Sequence, residues 1–146
     1  MSNPQNSSIP IDKFMTRKIK SIQSPVSIAE AAKTMYENHI PSLLVKENEK
    51  ITGIISYADI AIALAVYRKK PESKIRDVMS SPVVSVKSNY SILNAIELML
   101  EKKIHELPVI DDEKIQGMIS ASDLMVLLSM LTEEQFHEIF RIHLTK

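Results

Sequence analysis

The sequence predicts an α/β (α+β) fold made of two β-α-β-β-α repeats followed by an extra C-terminal helix. Three observations predict it. Shifted by 64 positions, the chain aligns with itself without a gap from Ile11 to Ile60, and nineteen of those 50 positions are identical. Within each copy, short apolar runs alternate with segments whose apolar residues recur at helical spacing, the pattern of a layered fold of strands and helices. The offset is too long for a solenoid repeat, so it reads as two copies of one supersecondary unit that bury a face against each other.

Each element follows in order. Ile19 to Ile22 is predicted as a short strand, with Val83 to Val86 as its copy. Ser27 then precedes Ile28, Ala31, Ala32 and Met35, one face of a helix, and Glu30 stands where a capping box needs it. Ser91 opens the matching helix, with Ile92, Ala95, Ile96 and Met99 as its stripe, but Asn94 leaves that box incomplete. Leu43 to Val45 and Leu107 to Ile110 suit buried strands. The polar turns Glu47–Lys50 and Asp111–Lys114 lead into Ile51–Ser56 and Ile115–Ser120, closing two hairpins. A helix opens at Asp59 and runs to Val66; its copy opens at Asp123 and runs to Leu131. Arg68 to Lys74 is a charged linker carrying the helix-stopping Pro71. Thr132 to Gln135 forms another capping box. It starts a helix with Phe136, Ile139, Phe140 and Leu144 on one face, which has no copy in the first repeat. The expected organisation is a disordered lead over 1–10, repeats over 11–67 and 75–131 joined by a linker at 68–74, and a C-terminal helix over 132–146.

Composition narrows the function. Eighteen cationic side chains balance eighteen acidic ones, whereas a general nucleic-acid binder needs an excess of cations to displace condensed counterions. The run Arg68-Lys69-Lys70 lacks interleaved aromatics and reads as solvated linker. There is no cysteine, which removes disulfides, thiolate metal sites and cysteine nucleophiles. Two glycines are too few for a dinucleotide fingerprint, and they lack the spacing of a P-loop. The four histidines lack zinc-site spacing: His137 opens a near miss of His-Glu-x-x-His with Arg141 in the second ligand place. The polar opening lacks a signal peptide's apolar core, and the longest apolar run, Leu124 to Leu131, is far too short to span a bilayer. A soluble cytoplasmic protein that is not an enzyme and has no metal is expected.

The block Gly53-Ile54-Ile55-Ser56-Tyr57-Ala58-Asp59 recurs as Gly117-Met118-Ile119-Ser120-Ala121-Ser122-Asp123, and it holds every glycine in the chain. A strand ends at a serine and a helix begins beside it. Unpaired N–H groups at a helix start favour an anion, the serine hydroxyl adds a donor, and the aspartate accepts hydrogen bonds from vicinal hydroxyls such as a ribose carries. Glycine leaves room for a ligand or neighbouring strand. The other reading is plain helix capping, with glycine relieving a bulge.

These blocks, with Asp77-Val78-Met79-Ser80 opening a repeat, the Ser-Ile-x-x-Ala helix starts and the Leu107-Pro108-Val109-Ile110-Asp111-Asp112 strand and turn, resemble the cystathionine-β-synthase (CBS) domain family over about Ile11 to Leu131. The resemblance implies one CBS pair, a Bateman module of a kind that forms disc-like dimers, with no required cofactor. It implies an adenosyl ligand (AMP, ADP, ATP or S-adenosylmethionine) in clefts between the repeats. Carried over, Asp59 and Asp123 hold the ribose, and Ser56 and Ser120 approach the phosphate or equivalent tail. The adenine is lined by Thr16 to Ile19, Ser80 to Val83, Ile40-Pro41-Ser42 and Ile104-His105-Glu106. The chain departs from the phosphate-binding members, which carry a basic residue after the histidine: Glu106 follows His105, and Ser42 follows Pro41. A carboxylate against a polyphosphate costs about 1–4 kcal/mol at contact. That favours AMP or a cationic tail over ATP in the second cleft, unless Arg17, Lys18, Lys74 or Arg76 compensates. The expected role is a ligand-sensing regulatory module that works as a homodimer and signals to a protein partner. The alternative is a structural dimerisation or interaction module with vestigial clefts, and nucleic-acid binding is a distant one.

Overall fold

The computed structural model describes residues 10–135 and His137. They form two compact units. One is Ile19–Val84; the other joins residues 10–18 to the chain from Ser85 onward. The division cuts across the sequence repeats, because each repeat's opening segment belongs to the unit that holds the other repeat's body.

In the unit Ile19–Val84, strands β1 (Ser21–Gln23), β2 (Ser42–Glu47) and β3 (Lys50–Ser56) form a sheet, β1 parallel and β3 antiparallel to the central β2. Two helices pack with it, α1 (Ile28–Asn38) and α2 (Tyr57–Ala65). Ile28, Ala31 and Met35 of α1 meet Leu43, Val45 and Ile55 of the sheet, and Ile60, Ala63 and Ile75 complete this core. Ser27 caps α1 as its sequence predicts: the hydroxyl accepts from the Glu30 N–H, and Glu30 accepts from the Ser27 N–H. The β2–β3 turn has two residues, Asn48 and Glu49, both at positive φ, as a tight hairpin with right-handed twist demands.

The second unit repeats the plan with α3 (Ile92–Lys102), β4 (Glu106–Asp111), β5 (Lys114–Ser120) and α4 (Ala121–Met130). Its core positions are equivalent: Ile92, Ala95 and Met99, then Leu107, Val109 and Ile119, with Ile11 in the place of Ile75. Ser91 caps α3 through the Asn94 N–H alone, the incomplete box expected from the sequence.

Two expectations are corrected. The strand foreseen at Val83–Val86 shrinks to a single parallel bridge between Val86 and Val109. The cause is Pro108. Its counterpart Leu44 donates its N–H to the Lys20 carbonyl, at 3.2 Å, in the first unit's ladder. Proline has no N–H to give, so that rung is missing. The helices foreseen from Asp59 and Asp123 begin two residues earlier, at Tyr57 and Ala121, because Ser56 and Ser120 are their N-caps. No helix among the described residues is long and apolar enough to cross a membrane. The C-terminal helix is described at its start only: Thr132 and Gln135 close the expected capping box, while Phe136, Ile139, Phe140 and Leu144 lie outside the described residues.

Asp111 gives the second unit a pH-sensitive tie. It accepts from the Ser88 hydroxyl and the Ser88 N–H, and these bonds, with a smaller contribution from Lys87, hold its carboxyl below the ordinary carboxylate value against the opposing effect of desolvation. A lowered folded-state pKa contributes stability above the unfolded value, about 3.9, that is lost as pH falls through the folded value. Asp111→Asn is therefore expected to make stability less pH-dependent below about pH 5. Urea midpoints measured from pH 6 down to 2.5 check this, and parallel curves for both chains would exclude the tie.

Candidate functional site

Both recurring blocks build the same junction. In the first, Ser56 ends β3 and caps α2: its hydroxyl accepts from the Asp59 N–H at 3.2 Å, and Asp59 Oδ2 accepts from the Ser56 N–H at 2.8 Å and the Ser56 hydroxyl at 3.0 Å. In the second, Ser120 accepts from the Asp123 N–H at 3.0 Å, and Asp123 Oδ2 accepts from the Ser120 N–H at 3.1 Å. The capping reading therefore holds, and it leaves chemistry over. A carboxylate has two oxygens, and each cap engages Oδ2 alone. Oδ1 of Asp59 and of Asp123, both half-buried, has no hydrogen-bond partner among the described residues.

The remaining residues arrive from three directions. The Pro41 carbonyl accepts the first N–H of α2, from Tyr57, at 3.2 Å, and the His105 carbonyl accepts the Ala121 N–H at 2.8 Å. Ser42, buried at the start of β2, pairs with Ser56 across the sheet, and Glu106 pairs with Ser120. Ile40 and Ile104 follow the left-handed residues that end α1 and α3, His39 and Lys103. The third direction is the exchanged segment. Thr16 bonds both ways with Met118, at 2.8 and 2.9 Å, two residues before Ser120. Ser80 does the same with Ile54, at 3.1 and 2.9 Å, two residues before Ser56.

One unit thus gathers Pro41, Ser42, Ser56, Asp59 and Ser80, and the other gathers Thr16, His105, Ser120 and Asp123. Ile19 and Val83 are not drawn in by this geometry: Ile19 belongs to the other compact unit than Thr16, and no hydrogen bond ties Val83 to β3.

The glycines are explained by the exchanged segment. A Cβ on Gly53 would sit 2.5 Å from Met79 Sδ, and one on Gly117 would sit 2.5 Å from Met15 Sδ and 2.8 Å from the Thr16 carbonyl oxygen. Each follows a register shift in its hairpin, so bulge and close approach occur together.

The electrostatics restrain the anion reading. Of the first three N–H groups of α2, two are used, by Pro41 and by Ser56, leaving that of Ala58; in α4 the one left is that of Ser122. Arg76 is held by Glu47 at 2.9 Å. Asp59 also lines a cavity of about 210 Å³ with Tyr67, Lys69 and Asp77 within its own unit, a grouping the sequence reading missed because these residues come from a linker and a repeat opening. His137 pairs with Glu133 one turn away, at 3.7 Å.

A family model described as CBS domain matches residues 11–66 and 75–129. The CBS domain-containing protein YhcV of Bacillus subtilis is 28% identical over 112 residues, covering 77% of this chain and 80% of its own. The uncharacterized protein MK0525 of Methanopyrus kandleri is 36% identical over 106 residues, covering 70% of this chain and 54% of its own, so the chain spans about half that relative's length. The CBS domain pair of protein MJ0100, solved in complex with 5′-methylthioadenosine and S-adenosyl-L-methionine, superposes with a TM-score of 0.75 at 27% identity, covering 84% of this chain and 97% of that one. The conserved CBS domain protein TA0289 of Thermoplasma acidophilum superposes with a TM-score of 0.77 at 27% identity, covering 95% and 78%.

Proposed function

The chain belongs to the CBS domain family, and on that premise we propose that it is a regulatory module, not an enzyme, that binds an adenosyl ligand and passes its presence to a protein partner. One observation carries the reading. At the same place in both units, an aspartate that caps a helix with one oxygen keeps the other for a ligand, next to a serine and an exchanged segment. The free Oδ1 suits a pair of ribose hydroxyls. Thr16 in one unit and Ser80 in the other lie beside the strand that leads to it, where a base would be flanked.

Tail chemistry separates the candidate ligands. Each helix start offers one remaining N–H, and the Ser56 hydroxyl already donates to Asp59. Glu106 enters β4 directly after His105. A polyphosphate finds few donors and a nearby carboxylate there, so AMP or S-adenosylmethionine suits the Asp123 site better than ATP. The complex of MJ0100 with S-adenosyl-L-methionine supports the same class. The module acts by differential affinity, since a ligand shifts a conformational equilibrium only as far as it binds one state better. A homodimer is the assembly this reading expects.

Thermal unfolding with AMP, ADP, ATP and S-adenosylmethionine tests it. A ligand at 100 times its Kd adds about 2.7 kcal/mol, raising Tm by roughly 5–10 °C. Asp59→Asn with Asp123→Asn keeps a carbonyl oxygen for each cap and turns the second oxygen into a donor, so the shift is expected to vanish with little loss of intrinsic stability. No shift with any of the four compounds would leave an interaction module.

A further inference from the structure

We infer that the cavity beside Asp59 is a subsite for a zwitterionic aminoacyl tail carried on the ribose of an adenosyl ligand. Lys69 takes the tail's carboxylate and Asp77 its ammonium, on the premise, proposed above, that Asp59 holds the ribose. The cavity has a volume of about 210 Å³, lies within the unit Ile19–Val84 and is lined by Asp59, Tyr67, Lys69 and Asp77 together with the apolar Ala63 and Val78. Pockets that enclose a whole small-molecule ligand run to roughly 300–1,000 Å³, so this one suits a part of such a ligand. Asp59 is common to the ribose site and the cavity. With the base beside Ser80 and a single N–H to spare at the start of α2, the 5′ substituent is the part left for it.

The linker folds back to build this place. Val66 and Tyr67 both donate to the Ile62 carbonyl, at 2.9 and 3.1 Å, and Arg68 takes the left-handed conformation, with φ at 57°. The Lys69 N–H then reaches the Ala63 carbonyl at 2.9 Å, one helical turn beyond Asp59. Asp77 ends the short turn Ile75–Asp77, whose Ile75 is locked in the core of the same unit. Neither the Lys69 ammonium nor the Asp77 carboxylate has a hydrogen bond or ion pair among the described residues, and Oδ1 of Asp59 is unused as well. Two carboxylates against one ammonium leave negative charge in excess. A phosphate is repelled by that excess. An amino-acid end presents an ammonium and a carboxylate together, and a sulfonium next to it adds the positive charge that matches the excess.

The second repeat does not carry this set. The places of Ala63 and Val78 are taken by the larger Leu127 and Phe14, and those of Tyr67, Lys69 and Asp77 by Leu131, Glu133 and Lys13. Glu133 is engaged by His137, at 3.7 Å. Room and charge pattern thus differ together between two copies that keep the same serine and aspartate. The tail is read at the Asp59 site and not at the Asp123 site.

Calorimetry on the full chain carrying Asp123→Asn, which leaves the Asp59 site alone, tests this with two compounds. S-adenosylhomocysteine and 5′-methylthioadenosine share the nucleoside thioether and differ by the aminoacyl tail. The first is expected to bind about tenfold tighter or more. Lys69→Met and Asp77→Asn, both at exposed positions, are each expected to weaken it about three- to tenfold and to leave 5′-methylthioadenosine within about twofold. Lys70→Met removes the same charge one residue further on, outside the cavity lining, and is expected to change neither. Equal affinities for the two compounds would overturn the tail subsite while leaving ribose binding at Asp59 in place. So would equal effects of Lys69→Met and Lys70→Met, which would mark a diffuse field and not a contact. Binding of neither compound would overturn the ligand reading and the subsite together.

Discussion

Ile11→Ala is expected to destabilise the chain by about 2–5 kcal/mol and to loosen strands β4 and β5, which lie far downstream in sequence, while leaving β2 and β3 protected. Ile11 is fully enclosed, its N–H donates to the Tyr90 carbonyl at 3.0 Å, and it fills in the second unit the place that Ile75 fills in the first. Removing three carbons from such a position loses their transfer free energy and leaves a cavity that the close-packed sheet and helices cannot fully collapse. Ile75→Ala should do the reverse, loosening β2 and β3. Equilibrium unfolding gives the size of each effect, a Tm lower by roughly 4–20 °C. Native-state hydrogen exchange gives its place: amides of Val109 and Ile119 for the first substitution, of Val45 and Ile55 for the second. If Ile11→Ala loosened β2 and β3 instead, the exchange of opening segments between repeats would be wrong, and Thr16 would lose its position beside Ser120.

That exchange marks where the sequence ceased to be legible. The duplication could be read because nineteen matched positions repeat the same core. The caps could be read because Ser27 with Glu30 and Ser56 with Asp59 are local, and local hydrogen bonds depend only on spacing. Ile11 and Ile75, however, are identical residues facing cores that share Ile, Ala, Met, Leu and Val at the matched positions, so neither isoleucine says which body it joins. The lost strand at Val83–Val86 was legible in principle. Leu44 is matched by Pro108, and a proline in a central strand forfeits one ladder bond. For the candidate site, the sequence posed capping and ligand binding by Asp59 and Asp123 as rivals, and the capping is what the structure shows. Because each cap uses one oxygen of the carboxylate, capping does not exclude the ligand role proposed above. The grouping of Asp59 with Tyr67, Lys69 and Asp77 emerges only once separate elements are placed side by side, which no local pattern encodes.

Gly117→Ala is expected to cost about 2–3 kcal/mol, clearly more than Gly53→Ala at about 1 kcal/mol or less, although the two glycines are copies of one position. The three atoms that a methyl group on Gly53 would meet first, at 2.5–3.0 Å, are Sδ, Cγ and Cε of Met79, and a methionine side chain can turn away. A methyl group on Gly117 meets Met15 in the same way, but it also comes within 2.8 Å of the Thr16 carbonyl oxygen. That oxygen accepts the Met118 N–H at 2.9 Å, so it cannot retreat without breaking the bridge that holds the segment to β5. Adding Met79→Ala should therefore restore most of what Gly53→Ala loses relative to Met79→Ala alone, whereas adding Met15→Ala should restore only part of the loss at Gly117. A double-mutant cycle on Tm and urea midpoint reads the difference as a coupling energy. The consequence reaches the ligand. Because the retreating segment carries Thr16, Gly117→Ala should weaken the adenosyl ligand at the Asp123 site while sparing the Asp59 site, where Ser80 stays in place. Equal costs for the two alanines, with full rescue by both methionine truncations, would mean that the Thr16 backbone does not press on Gly117.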